Sequence, residues 1–147
     1  MEYRRLGNSG LEVSVVCLGT MMFGDRTNEA EANEIVAHAS ANGINFIDTA
    51  DVYANGASES ITGAAIRAQR PKWILATKVG NPMGGEGNAR PHTGGQSRRW
   101  ILQACDASLT RLGCDWIDIY YLHIDDAKTP LAETVAAMGT LIDAGKI

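Results

Sequence analysis

Basic residues are scarce in this chain of 147 residues, in which 13 lysines and arginines stand against 17 aspartates and glutamates. The formal net charge of −4 argues against a nucleic-acid partner, because a phosphate backbone is bound by a basic face. The local cluster of Arg98 and Arg99, with Arg90 nearby, is short. We favour the interpretation that this cluster is the solvent-exposed start of a helix. Contact with a phosphate group is the less favoured alternative.

Long hydrophobic runs are also missing. No stretch approaches the roughly 18 apolar residues that a membrane-spanning helix needs. The first residues, Met1 to Gly7, lack the apolar segment of a secretory signal. The sequence therefore predicts a cytoplasmic protein with no membrane partner.

Cysteine is limited to three residues, which form neither a CxxC pair nor a spacing with histidine typical of a metal site. We therefore predict reduced thiols, no metal and no catalytic cysteine. Cys17 and Cys105 fall in apolar runs, which predicts that both are small core residues.

Strands and helices alternate along the chain. Tyr3 to Val16 is predicted to form a hairpin, with its turn at Asn8-Ser9-Gly10. The predicted strands that follow are 15–19, 44–48, 73–77 and 116–122. The predicted helices begin near Asn28, Ser58, Ser97 and Pro130. Their predicted inward residues include Ile35, Ala64, Leu131, Thr134, Val135, Leu141 and Ile142.

Apolar strands that alternate with helices are typical of parallel α/β structure. We predict one domain over residues 1–147, consisting of the hairpin and the first four βα units of a parallel barrel of the TIM type. A doubly wound sheet is the alternative. The segment Gly19 to Gly24 lacks the G-x-G-x-x-G pattern of such a sheet, which disfavours it.

Four polar residues fall where chemistry collects in a parallel barrel, at the carboxyl ends of strands. Asp48, Lys78 and His123 end three consecutive predicted strands, and Tyr53 lies five residues past Asp48. Taken alone, each residue has an ordinary structural explanation, such as a capped loop or a solvated strand end. Their joint placement at one rim favours an active site. His38 and His92 lack such a placement and are predicted to be surface residues.

These residue types suit the reduction of a carbonyl group. The developing alkoxide needs a proton, and Tyr53 could donate it, because an adjacent Lys78 ammonium stabilises the phenolate left behind. Asp48 could hold Lys78 in place, and a neutral His123 could donate a hydrogen bond to the carbonyl oxygen. No side chain donates hydride, so a nicotinamide cofactor is implied.

Several motifs resemble the aldo-keto reductase family. Phe46-Ile47-Asp48-Thr49-Ala50-Asp51-Val52-Tyr53, followed by Gly56-Ala57-Ser58-Glu59, is similar to the family's signature. The segments 75–78 and 118–123, the opening 3–7 and the stretch 17–21 also fit the family, so the resemblance covers the whole chain.

The resemblance implies a (β/α)8 barrel that reduces aldehydes or ketones with NADPH. It implies that Tyr53 is the general acid, that Lys78 and Asp48 tune it, and that His123 orients the substrate. Thr20 and Met21, together with Asp48, are expected to contact the nicotinamide end of NADP(H). The stretch from Gly80 to Gly95 is expected to be a loop on the substrate side.

The family's fifth strand is expected beyond Ile147, and a whole barrel needs about 250 residues. Two alternatives to a reductase therefore stay open. One is a half-barrel without activity that serves as an assembly module and self-associates through its open edges. The other is a redox or regulatory subunit that keeps the fold but not the turnover.

Overall fold

The computed structural model describes residues 1–84 and 91–147. The strands are β1 (Tyr3–Arg5), β2 (Glu12–Ser14), β3 (Leu18–Gly19), β4 (Phe46–Asp48), β5 (Ile74–Val79) and β6 (Ile119–Leu122). The helices are α1 (Glu29–Ala41), α2 (Ala57–Ile66), α3 (Arg98–Leu112) and α4 (Leu131–Asp143). Short 3-10 segments span Tyr53–Gly56 and Arg67–Lys72. No helix in these ranges is long and apolar enough to cross a bilayer.

The sheet order confirms the predicted fold class. Strands β1 and β2 pair antiparallel as the predicted hairpin, while β3, β4, β5 and β6 pair in parallel in chain order. A sheet of sequential parallel strands with a helix after each strand is the first half of a TIM-type barrel. All four strands therefore deliver their carboxyl ends to the same rim.

Local sequence signals set the helix ends. Asn28 and Glu31 form a capping box at the start of α1, with both hydrogen bonds at 3.0 Å. The Ser97 side chain accepts a hydrogen bond from the backbone of Trp100 at the start of α3. Gly113 ends α3 in the left-handed conformation that favours glycine. Pro130 lies at the N-cap of α4, one position before the predicted first turn.

The core lies between the helices and the outer face of the sheet. Its largest fully buried side chains include Ile47, Ile66, Leu75, Ile101 and Leu141. Cys105 is buried there, as predicted.

Several residues that we predicted to face inward are exposed. The exposed ones are Ile35, Ala64, Leu131, Val135 and Ile142. Helix α4 turns Thr134, Ala137 and Leu141 inward, of which Thr134 and Leu141 were predicted. The Thr134 hydroxyl donates a hydrogen bond to the Gln96 carbonyl oxygen at 3.1 Å, which fixes this rotation. The prediction followed the most hydrophobic stripe, whereas close packing against α3 selected smaller residues.

The prediction for Cys17 was also wrong, because this residue is exposed. Side chains alternate between the two faces of a strand. Ile47 of β4 faces the helices, whereas Phe46 and Asp48 line the concave inner face together with Cys17. Cys17 therefore belongs to the face away from the core.

A buried ion pair joins the amino ends of β5 and β6, opposite the rim. Arg70 donates to Asp118 Oδ2 at 2.7 Å and to the carbonyl oxygen of Trp73 at 2.8 Å. The same Asp118 oxygen accepts from the backbone N–H of Leu75 at 2.9 Å. This contact ties the bottom of the sheet together, far from the polar strand ends.

Candidate active site

The structure brings the four predicted rim residues together. Asp48 is the last residue of β4, Lys78 lies one residue before the end of β5, and His123 directly follows β6. Tyr53 begins the 3-10 segment that leads from β4 into α2. The parallel sheet therefore gathers side chains that lie up to 75 positions apart along the chain, from Asp48 to His123.

Lys78 is the centre of this cluster. Its Nζ donates to Asp48 Oδ2 at 2.6 Å, to the Thr49 carbonyl oxygen at 2.7 Å and to the Tyr53 hydroxyl at 3.1 Å. A lysine ammonium has three N–H donors, so all of them are engaged. The charged end of Lys78 is thereby held in one position next to the phenol.

Tyr53 lies between the ammonium and the imidazole. Lys78 Nζ also lies 4.7 Å from the centroid of the Tyr53 ring, and the rings of Tyr53 and His123 meet edge to face with centroids 5.7 Å apart. Because the Tyr53 oxygen accepts from Lys78, its own O–H is free to donate to another acceptor. This geometry suits a proton donor.

The surroundings of His123 favour its neutral form. Burial lowers the pKa of His123, and the positive charge of Lys78 lowers it further, against a smaller opposing effect of Asp48. A neutral imidazole can donate one hydrogen bond without carrying a charge.

A cavity of about 580 Å³ opens on the concave side of these residues. It is lined by Cys17, Gly19, Phe46, Asp48, Lys78, Tyr121, Leu122 and His123. Its size lies within the range of small-molecule sites, about 300–1,000 Å³. Aromatic and aliphatic walls with polar groups along one side are typical of a small-molecule site.

Thr20 and Met21, which we predicted to contact a cofactor, lie in the loop after β3. Met21 is exposed, whereas Thr20 is buried and its hydroxyl donates to the Asp48 carbonyl oxygen at 3.1 Å. The Thr20 hydroxyl also lies 3.0 Å from the Ser58 hydroxyl, which in turn lies 3.0 Å from that of Thr49. The side chain of Thr20 therefore fastens the loops after β3 and β4 to each other, beneath the rim.

Sequence reasoning missed a second polar cluster behind the rim. Glu59 is fully buried, and its carboxylate accepts from Arg111 Nε at 2.6 Å and from the Thr77 hydroxyl at 2.6 Å. Glu59 was noted only as part of a motif, and Arg111 was not noted at all. The signal that could have found the pair is a carboxylate on the inward face of a helix, since buried charges are nearly always paired.

Asp51 was also missed as a buried acid. It is 1% exposed, and its pKa is raised to about 7, first by burial and then by the nearby charge of Glu59. Arg111 opposes this effect in part.

The predicted substrate-side loop, from Gly80 to Gly95, is described only at its base. The Gly95 N–H donates to the Gly80 carbonyl oxygen at 2.7 Å, and the Met83 N–H donates to that of Thr93 at 2.9 Å. Residues 85–90, including the Arg90 of the predicted basic cluster, lie outside the described residues.

The parallel half-barrel, with a cluster of titratable side chains at its rim, defines the N-terminal half of a TIM-type barrel protein. A comparison with family models gives the more particular class. The model described as the aldo/keto reductase family matches residues 15–147, so the chain belongs to that family.

Individual relatives agree with this assignment. A probable voltage-gated potassium channel subunit beta from Arabidopsis thaliana is 42% identical over 99% of this chain and 44% of its own length. The versiconal hemiacetal acetate reductase of Aspergillus parasiticus is 38% identical over 99% of this chain and 49% of its own length.

A solved structure is similar as well. The holo form of an aldo-keto reductase from Bacillus halodurans superposes with a TM-score of 0.89 at 38% identity, over 99% of this chain and 47% of the other. The chain thus spans about half the length of the relatives it matches.

Proposed function

We propose that this chain supplies the proton-donating part of an NADPH-dependent reductase that converts aldehydes or ketones to alcohols. The observation that carries the proposal is the triple engagement of Lys78, which bonds Asp48, the Thr49 carbonyl oxygen and the Tyr53 hydroxyl at once. A structural lysine at a strand end has no need of a phenol partner, whereas a phenol that donates a proton is helped by a cation beside it, which stabilises the phenolate left behind.

Each side chain has a defined part in the proposed reaction. Tyr53 donates its proton to the carbonyl oxygen as negative charge develops there. Lys78 stabilises the resulting phenolate, and Asp48 holds Lys78 in position. His123, as a neutral donor, fixes the orientation of the carbonyl group.

The proposed cofactor is NADP(H), which supplies the hydride when it is bound. Asp48 and the loop with Thr20 and Met21 would contact its nicotinamide end, next to the cavity lined by Phe46 and Tyr121. The holo form of the structural relative supports a bound cofactor in this family. The choice of NADP over NAD rests on the family resemblance.

Turnover by matched variants tests the proposal. The purified protein is mixed with an aromatic aldehyde and either NADPH or NADH, and the absorbance of the reduced nicotinamide is followed. The same assay is run on the chain fused to the carboxyl-terminal half of the Bacillus halodurans relative. We expect Tyr53→Phe and Lys78→Met to lower kcat by about 10²–10⁴-fold. Absence of turnover in both forms, or unchanged turnover in Tyr53→Phe, would contradict the proposal.

A second candidate is a regulatory subunit that keeps the reductase fold. It is favoured by the 42% identity to the probable potassium channel subunit beta. The retained acid–base residues favour the reductase instead. Cofactor binding without turnover in the assay above would support the regulatory subunit.

We also propose that the polypeptide of these 147 residues self-associates through its concave face. Among the described residues, β3 and β6 are the edge strands of the four-stranded sheet. Exposed apolar side chains lie at both edges, namely Val15 and Val16 shortly before β3, and Tyr121 and Leu122 within β6. Exposed edges with apolar side chains favour pairing with another chain. A cytoplasmic location also remains a proposal, supported by the free thiols of Cys17, Cys105 and Cys114.

A further inference from the structure

We infer that Arg111 is a positioning residue for the proposed acid Tyr53, an inference that rests on the proposed function. Arg111 lies on α3 and is not one of the residues that line the cavity. It acts through the turn that carries Tyr53 and through the strand that carries Lys78.

The turn after Tyr53 is held in an unfavourable backbone conformation. Ala54 has φ +48° and Asn55 has φ +53°, and Gly56 follows with φ +92°. Residues other than glycine rarely adopt the left-handed region, and two in succession persist only where the surrounding structure imposes them. Something must therefore hold this turn in place.

Packing contacts constrain the turn from two sides. A Cβ added to Gly56 would lie 2.7 Å from Cδ of Arg111, so the arginine side chain runs directly against the backbone there. On the other side, a Cβ added to Gly24 would lie 2.8 Å from Cβ of Ala57 and 3.5 Å from that of Ala54. The turn is clamped between the loop after β3 and the side chain of Arg111.

The guanidinium of Arg111 is itself fixed. Nε donates to Glu59 Oε2 at 2.6 Å, and Nη2 donates to the Ser108 hydroxyl at 3.2 Å. The other Glu59 oxygen accepts from Thr77, the residue directly before Lys78. Glu59 is fully buried, so its end of the bridge is shielded from water, whereas the Arg111 side chain is 23% exposed.

The bridge therefore runs from the Tyr53 turn, through Arg111 and Glu59, to the strand residue next to Lys78. It sets the distance between the phenol and the ammonium, which is 3.1 Å. A small misplacement of reacting groups is costly for catalysis, since about 1 Å can lower a rate by about 10²-fold.

The test compares Arg111→Met with Arg70→Met, which breaks the other buried arginine–carboxylate pair at the opposite end of the strands. Both variants should lose stability. We expect Arg111→Met to lower kcat by about 10- to 100-fold with little change in KM, whereas Arg70→Met keeps its kcat. Arg111→Lys, which retains a charge next to Glu59, should recover part of the rate. An unchanged kcat in Arg111→Met would overturn the inference.

Hydrogen exchange gives a readout that does not need turnover. The amides of Tyr53 and Asn55 donate to Ala50 and Val52 within the turn. We expect them to exchange faster in Arg111→Met but not in Arg70→Met. Equal exchange in the two variants would overturn the inference. If the wild type shows no turnover in any form, the proposed function fails. The exchange result alone then decides whether Arg111 positions the Tyr53 turn.

A less disruptive substitution tests the same bridge if Arg111→Met does not fold. Thr77→Val removes the hydrogen bond to Glu59 and leaves Arg111 in place, while Thr77→Ser restores the hydroxyl. We expect Thr77→Val to lower kcat and speed exchange of the turn, and Thr77→Ser to reverse both effects. No difference between Thr77→Val and Thr77→Ser would contradict the bridge.

Discussion

The charge state of His123 depends on its surroundings. Burial and the positive charge of Lys78 both lower its pKa, so it stays neutral at pH values where an exposed histidine takes up a proton. In the proposed reaction this keeps His123 a neutral hydrogen-bond donor.

We expect the ring signals of His123 to titrate below the usual histidine pKa of about 6.5 in an NMR titration. Lys78→Met should raise the titration point of His123, because it removes one of the two causes. The unfolded chain binds this proton more readily than the folded one, so the free energy of unfolding should fall as the pH drops below about 6.5. A His123 signal that titrates at or above about pH 6.5 would contradict the assignment.

Asp51 changes stability with pH in the direction opposite to that of His123. Its pKa is raised to about 7, so between pH 4 and 7 the folded chain binds a proton that the unfolded chain releases. The free energy of unfolding therefore falls as pH rises through this interval, as far as Asp51 contributes.

We expect Asp51→Asn to match the wild type near pH 4 and to be more stable above pH 8, by roughly 1–3 kcal/mol. The physical reason is that asparagine has the same shape and no charge to bury. Urea unfolding of both proteins at the two pH values measures the difference. A constant difference between them would mean that Asp51 does not titrate in this interval.

Single residues differed in how well the sequence predicted them. Asp48, Lys78 and His123 were found because strand ends are visible in the sequence, and Tyr53 because it follows closely. Arg111 was not found, since its partner Glu59 lies 52 positions away and nothing local marks the pair. Cys17 was misplaced because an apolar run does not show which face a residue takes.

Helix α2 approaches α3 closely at Gly63. A Cβ added there would lie 2.1 Å from the carbonyl oxygen of Leu112 and 2.6 Å from its Cα. Backbone atoms of a packed helix cannot move aside as a flexible side chain can. In contrast, a Cβ added to Gly139 of α4 meets nothing within 4 Å.

We expect Gly63→Ala to lower the free energy of unfolding by about 1–3 kcal/mol or more, because the helices must separate. Gly139→Ala is the matched control and should raise it by about 0.5–1 kcal/mol, since alanine favours a helix more than glycine does. Chemical unfolding measures both. Equal effects of the two substitutions would show that the close contact between α2 and α3 does not limit stability.

At the scale of elements, helix starts and ends were easier to predict than helix faces. The caps at Asn28, Ser97 and Gly113 are local hydrogen-bond and backbone features, and they lie where expected. The predicted inward face of α4 was right for Thr134 and Leu141 and wrong for the predicted residues that are exposed, because the face depends on what α3 presents. Leu131 and Val135 have a favourable period but remain exposed.

The whole molecule presents a concave apolar face with two edge strands. For the polypeptide of these 147 residues we expect a sedimentation coefficient that rises with concentration. Val16→Lys should suppress this rise, because it places a charge beside β3. Leu131→Lys, on the exposed outer face of α4, is the control and should leave the association unchanged. If only Leu131→Lys suppressed it, the contact would involve the helices instead.

By itself, the sequence determined the order of strands and helices, the parallel architecture and the residues at the rim. These follow from short-range signals, namely apolar runs, caps and the residues that end each strand. Only the tertiary structure decided that Lys78 engages three partners and that Arg111 reaches Glu59 beneath the Tyr53 turn. It also decided that Asp51 is buried, which raises the pKa of this carboxyl group to about 7. Such features depend on contacts between segments far apart in the chain, and a local pattern carries no information about the distance between them.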